Sequence, residues 1–182
     1  MGNVLGRRLL LLLCCTSISE ATALVQAANV KIDVQRCMGK WFVQRAIPAV
    51  APLEKDAHNG CEHYTWDSAN SRIDVTYKFN AGSFDGPMRQ VKQRCWVQTD
   101  QGTTWAVSPQ IGGFGLPIKL PFLITDIDDV DYSYLVCSGG AGSWMYVLTR
   151  DKQPDDALMT RLEKTVQAAG FDMSAVLTMP HA

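Results

Sequence analysis

The sequence predicts an all-β fold: eight antiparallel strands joined up-and-down into a closed barrel, with one C-terminal α-helix packed on its wall. Three observations predict it. Between Gly39 and Arg150 short strand-like runs alternate with turn residues, as in an antiparallel meander. After Arg150 a single stretch switches to helical period, with Leu158, Leu162, Val166 and Ala169 on one face. The third observation joins the two ends of the strand region. Strand alternation puts Trp144, Tyr146, Leu148 and Arg150 on one face of the last strand. An arginine among apolar residues needs a partner, because its charge is costly to bury alone. Trp41, two residues after Gly39 at the start of the first strand, offers a large ring face, and a cation–π contact is worth roughly 0.5–2 kcal/mol. Such a contact makes the first and last strands neighbours, which is barrel closure.

Taken in order, residues 1–23 read as a secretory signal peptide. Arg7 and Arg8 precede an apolar core at 9–15, and Ala21-Thr22-Ala23 suits cleavage, with a second legible cut after Ala27 or Ala28. The core is too short to span a bilayer. Residues 24–182 then form a single domain with one core, in a secreted, lumenal or periplasmic setting. The strand runs are 41–47 (closed by Pro48), 61–67, 72–80, 88–98, 103–108, 122–127, 132–138 and 144–150. The first two are separated by a long connection, 49–60, broken by Pro52 and Asn59-Gly60. In the third, Ile73, Val75, Tyr77 and Phe79 share one face. A Gly- and Pro-rich stretch, 109–121, interrupts the meander, and an acidic corner, 126–131, precedes the seventh run. Asp155 suits the helix N-cap and Gly170 its exit. Residues 171–177 return as a short extra strand or extended arm.

Composition narrows the partners. A formal charge of −1 and the absence of a basic run argue against nucleic acid. Beyond the leader four cysteines remain, Cys37, Cys61, Cys95 and Cys137. An even count behind a signal peptide suggests two disulfides, with three connectivities open. No Cys-x-x-Cys pair occurs, and His58, His63 and His181 form no metal spacing, so neither a metal site nor a cofactor is expected.

Three segments carry a family resemblance: Gly39-Lys40-Trp41-Phe42, Asp131-Tyr132-Ser133-Tyr134-Leu135-Val136-Cys137 and Trp144-Met145-Tyr146-Val147-Leu148-Thr149-Arg150. In that order they resemble the signature regions of the lipocalins. The C-terminal Gly170-Phe171-Asp172-Met173-Ser174 is similar to the bacterial lipocalin, plant temperature-induced lipocalin and apolipoprotein D branch. The second signature usually reads Thr-Asp-Tyr; here Thr125-Asp126-Ile127 stands there and Tyr132 comes later.

The resemblance implies a calyx, open at one end and closed by Gly39, Trp41 and Arg150. Carried along the strands, the family register nominates as ligand-binding residues Val43, Arg45, Tyr64, Trp66, Val75, Tyr77, Val91, Gln93, Trp105, Val107, Trp144 and Tyr146. It implies binding, transport or sequestration of a small apolar or amphipathic molecule: a fatty acid, lysophospholipid, retinoid, carotenoid, sterol or tetrapyrrole. Peripheral contact with a membrane fits that role. The alternative is a lipocalin-type enzyme acting on a lipid or carotenoid, as a de-epoxidase or isomerase. That alternative needs an acid in the cavity, and Glu62, Asp67 and Asp74 are expected outside or in turns. A thiol enzyme needs an inward cysteine, and Cys95 is the candidate by parity. The strand directions of such a barrel bring Cys37 and Cys95 to the closed end, and Cys61 and Cys137 near the open rim. Cys37–Cys95 and Cys61–Cys137 are therefore the expected disulfides.

Overall fold

The computed structural model describes residues 25–49 and 54–182; the leader at 1–23 lies outside the described residues. The strands are β1 (Gly39–Ile47), β2 (Ala57–Asp67), β3 (Arg72–Ala81), β4 (Met88–Val97), β5 (Thr104–Ile111), β6 (Phe114–Gly115), β7 (Leu120–Ile127), β8 (Tyr134–Gly139), β9 (Met145–Thr149) and β10 (Leu177–Thr178). Sequential antiparallel pairing runs from β1 through β5 to β7, β8 and β9. Pairs from Phe42↔Thr149 to Ile47↔Met145 then join β1 to β9 and close the barrel. The short β6 lies inside the Gly- and Pro-rich stretch and pairs with the end of β5. The C-terminal arm adds β10 to β1 through Arg45↔Thr178 and Ala46↔Leu177. Gly39 opens β1 at φ +94, a left-handed conformation that L side chains resist.

The helix α1 (Asp156–Ala168) starts where the Asp155 carboxylate accepts the Leu158 N–H at 2.7 Å. Gly170, at φ +88, ends its exit turn. Met159, Leu162 and Val166 are its buried residues, and they pack with Tyr134, Val136, Met145 and Val147 of β8 and β9. The predicted Leu158 and Ala169 lie at the margin of this cluster. Each fully buried side chain contributes roughly 1.5–3 kcal/mol, so the helix is a structural buttress. It also explains why β8 and β9 are buried at every position: one face meets the barrel interior, the other the helix.

The expected disulfides do not form in this structure, and all four cysteines are free thiols. Cys61 sits in mid-β2 rather than at its start, on the outer face it shares with the exposed His63 and Thr65. Cys137 belongs to the inner core, so the sheet wall separates that pair. Cys37 is packed into the floor with its Sγ 3.9 Å from the Asp33 carbonyl. Cys95 instead lies in the wall opposite Ile73 and Val107. Cys137 therefore joins Cys95 as an inward thiol. Burial pushes the Cys37 thiol up to about 12 and raises Cys95 and Cys137 as well. Such thiols stay protonated and are poor nucleophiles.

Candidate functional site

The lower end of the barrel is closed by one arginine. The Arg150 guanidinium stacks on Trp41, its Cζ 3.6 Å from the ring centroid. It donates to the carbonyls of Lys40 at 2.7 Å, Arg36 and Met38 at 2.8 Å, and Tyr132 at 3.3 Å. Trp41 Nε1 donates in turn to the Cys37 carbonyl at 2.8 Å. The predicted closure is thus present, with a ring beneath the cation and backbone oxygens around it.

Above this floor the barrel is filled. Val43, Tyr64, Val75 and Trp105 are buried in the inner core, and Trp66 packs against it, half-buried. Trp105 stacks on Phe122, with centroids 5.0 Å apart and planes 8° apart, and donates Nε1–H to the Gly102 carbonyl at 2.7 Å. Of the nominated ligand contacts, Val43, Tyr64, Trp66, Val75 and Trp105 therefore belong to packing. An eight-stranded barrel is barely wide enough to hold its own side chains where these are large.

Arg45 is corrected for a different reason. The β1–β9 register shifts between Val43 and Arg45, so Gln44 is the extra residue of a β-bulge. A bulge resets the alternation. Val43 and Ala46 enter the inner core, while Arg45 turns outward and donates through Nε to Glu163 of α1 at 2.7 Å. Gln44 is buried, and its Nε2 donates to Thr149 Oγ1 at 2.9 Å.

The upper half holds a cavity of about 470 Å³. Of the residues that the family register nominates, Tyr77, Val91, Gln93, Val107, Trp144 and Tyr146 line it, together with Phe122, Leu120, Pro121 and others from β7 and the rim. Two buried carboxylates, Glu54 and Glu62, also line it. Glu62 contradicts the expectation that it faces out: it shares the inner face of β2 with Tyr64. The alternation that places Tyr64 and Trp66 inside places Glu62 there too. Glu54 descends from the connection after β1, which periodicity does not place.

The Tyr64 hydroxyl donates to Glu62 Oε2 at 2.6 Å, and the Tyr146 hydroxyl donates to Glu54 Oε2 at 2.7 Å. Burial is the main influence on Glu62. The Tyr64 hydrogen bond opposes it and the Glu54 charge reinforces it, and the carboxyl is pushed up to about 7. Near neutral pH this group is therefore divided between its acid and carboxylate forms. Tyr77, also buried, carries a hydroxyl with no hydrogen-bond partner. The cavity thus combines two buried carboxylates with largely apolar walls. Among the described residues, no group of three His, Cys, Asp or Glu side chains is placed to hold a metal ion.

A closed eight-stranded barrel with an internal cavity and one buttressing helix defines a calyx protein. Residues 32–181 match the lipocalin-like domain, and the chain belongs to that family. Among solved structures, lobster apocrustacyanin A1 is similar with a TM-score of 0.61 at 12% identity, over 88% of this chain and 92% of that one. The cockroach allergen Per a 4 gives 0.62 at 13% identity, over 87% and 94%. The siderocalin Ex-FABP gives 0.57 at 13% identity, over 80% and 94%. These likenesses establish the fold. No individual curated protein matches the chain by sequence.

Proposed function

We propose that this protein binds and carries a small, partly apolar molecule in the upper half of its barrel, in a compartment reached through its leader peptide. One observation carries the reading: the interior is filled below and open above, with about 470 Å³ lined by Val91, Val107, Phe122, Trp144 and Tyr146. That volume lies within the range of small-molecule pockets, roughly 300–1,000 Å³. Burying about ten methylenes there is worth roughly 8 kcal/mol before ordering costs. The structural relatives include a siderocalin described as working through dual ligand specificities, a precedent for a barrel of this shape as a container.

The open rim supports loading at a lipid surface. Met88 begins β4, Ile111 ends β5 and Leu120 begins β7, all exposed, with Phe114 of β6 the most exposed of the group. Clustered apolar side chains at a pocket mouth suit contact with another apolar surface. The test is native purification followed by mass spectrometry, with thermal shifts on a panel of alkyl and isoprenoid ligands. A stoichiometric co-purifying lipid or pigment is expected. An empty protein whose melting temperature ignores the whole panel would reject the reading.

A lipocalin-type enzyme is the second reading, and Glu62 favours it: an acid held near neutral pKa inside a cavity suits general acid chemistry. Recovery of added ligand unchanged supports the carrier, and a modified product supports the enzyme.

A further inference from the structure

We propose that the edge of the rim built by β4 to β7 docks on a bilayer surface that carries anionic phospholipid. This rests on the carrier reading and names the surface at which the ligand is exchanged. The apolar part of the edge is its hairpin tip. Ile111 is 67% exposed and Phe114 80%, and the two are direct partners across β5 and β6, so their side chains leave the same face together. Ile118 and Leu120, also exposed, flank Lys119, and exposed Met88 precedes Arg89.

Charge decides what covers these groups. Residues 88–120 contain Arg89, Lys92, Arg94 and Lys119 against a single acid, Asp100. That acid lies in the turn between β4 and β5, where the Gln101 carbonyl accepts the Ile32 N–H, far from the hairpin tip. None of the four cations forms an ion pair among the described residues. Asp74, opposite Arg94 on β3, is engaged by Arg72 instead. The Arg94 guanidinium lies beside the hairpin, its Nη1 3.4 Å from where a Cβ on Gly115 would stand. Its Nε is buried without a hydrogen-bond partner, and a guanidinium with donors to spare suits phosphate oxygens. The chain as a whole has a formal charge of −1, so the positive field belongs to this edge.

The spacing suits a lipid surface. Lys92 pairs with Gln110 and Arg94 with Ser108, one and three residues before Ile111 on β5. At about 3.3 Å per residue, the two cations leave the sheet roughly 3–10 Å below the apolar tip. Interfacial elements bury their apolar face to about 5–10 Å. Ile111 and Phe114 then reach the acyl boundary while Lys92 and Arg94 stand among the phosphates. A protein partner would need a pocket for Phe114 and an acid placed at each cation; a fluid anionic bilayer meets both demands without a register. Each basic side chain near such a surface contributes about fivefold in affinity.

Co-sedimentation with vesicles tests this, with phosphatidylcholine alone and with about 30% phosphatidylglycerol added. The mixed vesicles are expected to bind at least about tenfold more tightly, and to lose at least about fivefold between roughly 0.1 M and 0.5 M salt. Lys92→Gln combined with Arg94→Gln should lose at least about tenfold on the mixed vesicles, and Phe114→Ser should weaken binding comparably. Both variants should keep decan-1-ol affinity within about twofold by calorimetry, which also reports that they fold. Equal binding to the two vesicles, or an affinity indifferent to salt and to the Lys92 and Arg94 substitutions, would overturn the proposal. So would binding to heparin but not to vesicles, which would assign the edge to an acidic macromolecule. A protein that takes up decan-1-ol and ignores both vesicles keeps the carrier reading and overturns this inference; one that binds neither loses both.

Discussion

Two charges divide this barrel, a half-buried one at the floor and a buried one in the cavity, and they are treated in opposite ways. At the floor, Arg150 lies over Trp41 and donates to four backbone carbonyls. A guanidinium has five N–H donors and no acceptor, so its capacity is nearly used up. In the cavity, Glu62 receives the Tyr64 hydroxyl, lies near Glu54, and has the unsatisfied Tyr77 hydroxyl beside it. A charge whose hydrogen bonds are saturated belongs to the architecture. A buried charge with acceptor capacity to spare, lining an open cavity, marks a place for something else. The completeness of their hydrogen bonding distinguishes the two.

The largest expected effect comes from breaking the saturated site. Trp41→Ala removes the ring under Arg150 and leaves a cavity in the floor, so a loss of roughly 3–5 kcal/mol is expected in urea unfolding. A loss below 1 kcal/mol would mean that Arg150 is held by its carbonyl partners alone.

At the other site the sign reverses. The folded protein raises the Glu62 carboxyl from its ordinary 4.5 to about 7, so between those values the folded state binds more protons than the unfolded one. Stability contributed by protonated Glu62 is therefore fully present below about pH 4.5 and lost as pH rises through about 7. Glu62→Gln should flatten that slope and recover about 3 kcal/mol at pH 8. Urea midpoints from pH 4.5 to pH 8 provide the measurement, and identical slopes in the two proteins would show that Glu62 ionises freely.

A smaller effect tests the β-bulge. Arg45 pairs with Glu163 outside the barrel, with side chains 21% and 39% exposed. An ion pair that accessible is worth at most about 1 kcal/mol. Arg45→Ala should cost no more than that and leave decan-1-ol affinity within about twofold. A large loss of affinity would place Arg45 back in the ligand site.

Much of this fold was legible because barrels advertise themselves locally. Period-2 runs, turn residues, the Asp155 cap and the paired demands of Trp41 and Arg150 all point to one answer. The site was legible only where alternation runs unbroken, as at Tyr77, Val91, Gln93, Val107, Trp144 and Tyr146. It failed at Arg45 because one extra residue at Gln44 reverses the faces, and a bulge leaves no mark in composition. At Glu62 the expectation of an outward or turn position failed because Glu62 shares the parity of Tyr64, and so its inner face. Glu54 arrives on a connection whose path no period encodes. Cys137 lies in a strand buried on both faces, where an unbroken apolar run conceals parity. The depth of the filled zone was out of reach for another reason: it depends on how Trp105, Phe122 and Tyr64 pack across strands far apart in sequence.

The division into a filled lower half and an open upper half is tested most directly by comparing two tryptophans. Trp144 lines the cavity and Trp105 is packed beneath it. Titration with decan-1-ol, neutral and so indifferent to the carboxylates, should change tryptophan emission in the unmodified protein and in Trp105→Phe. Trp144→Phe should lose most of that change while still binding by calorimetry. A response that survives in Trp144→Phe but vanishes in Trp105→Phe would put the ligand in the lower half and contradict the half-filled barrel.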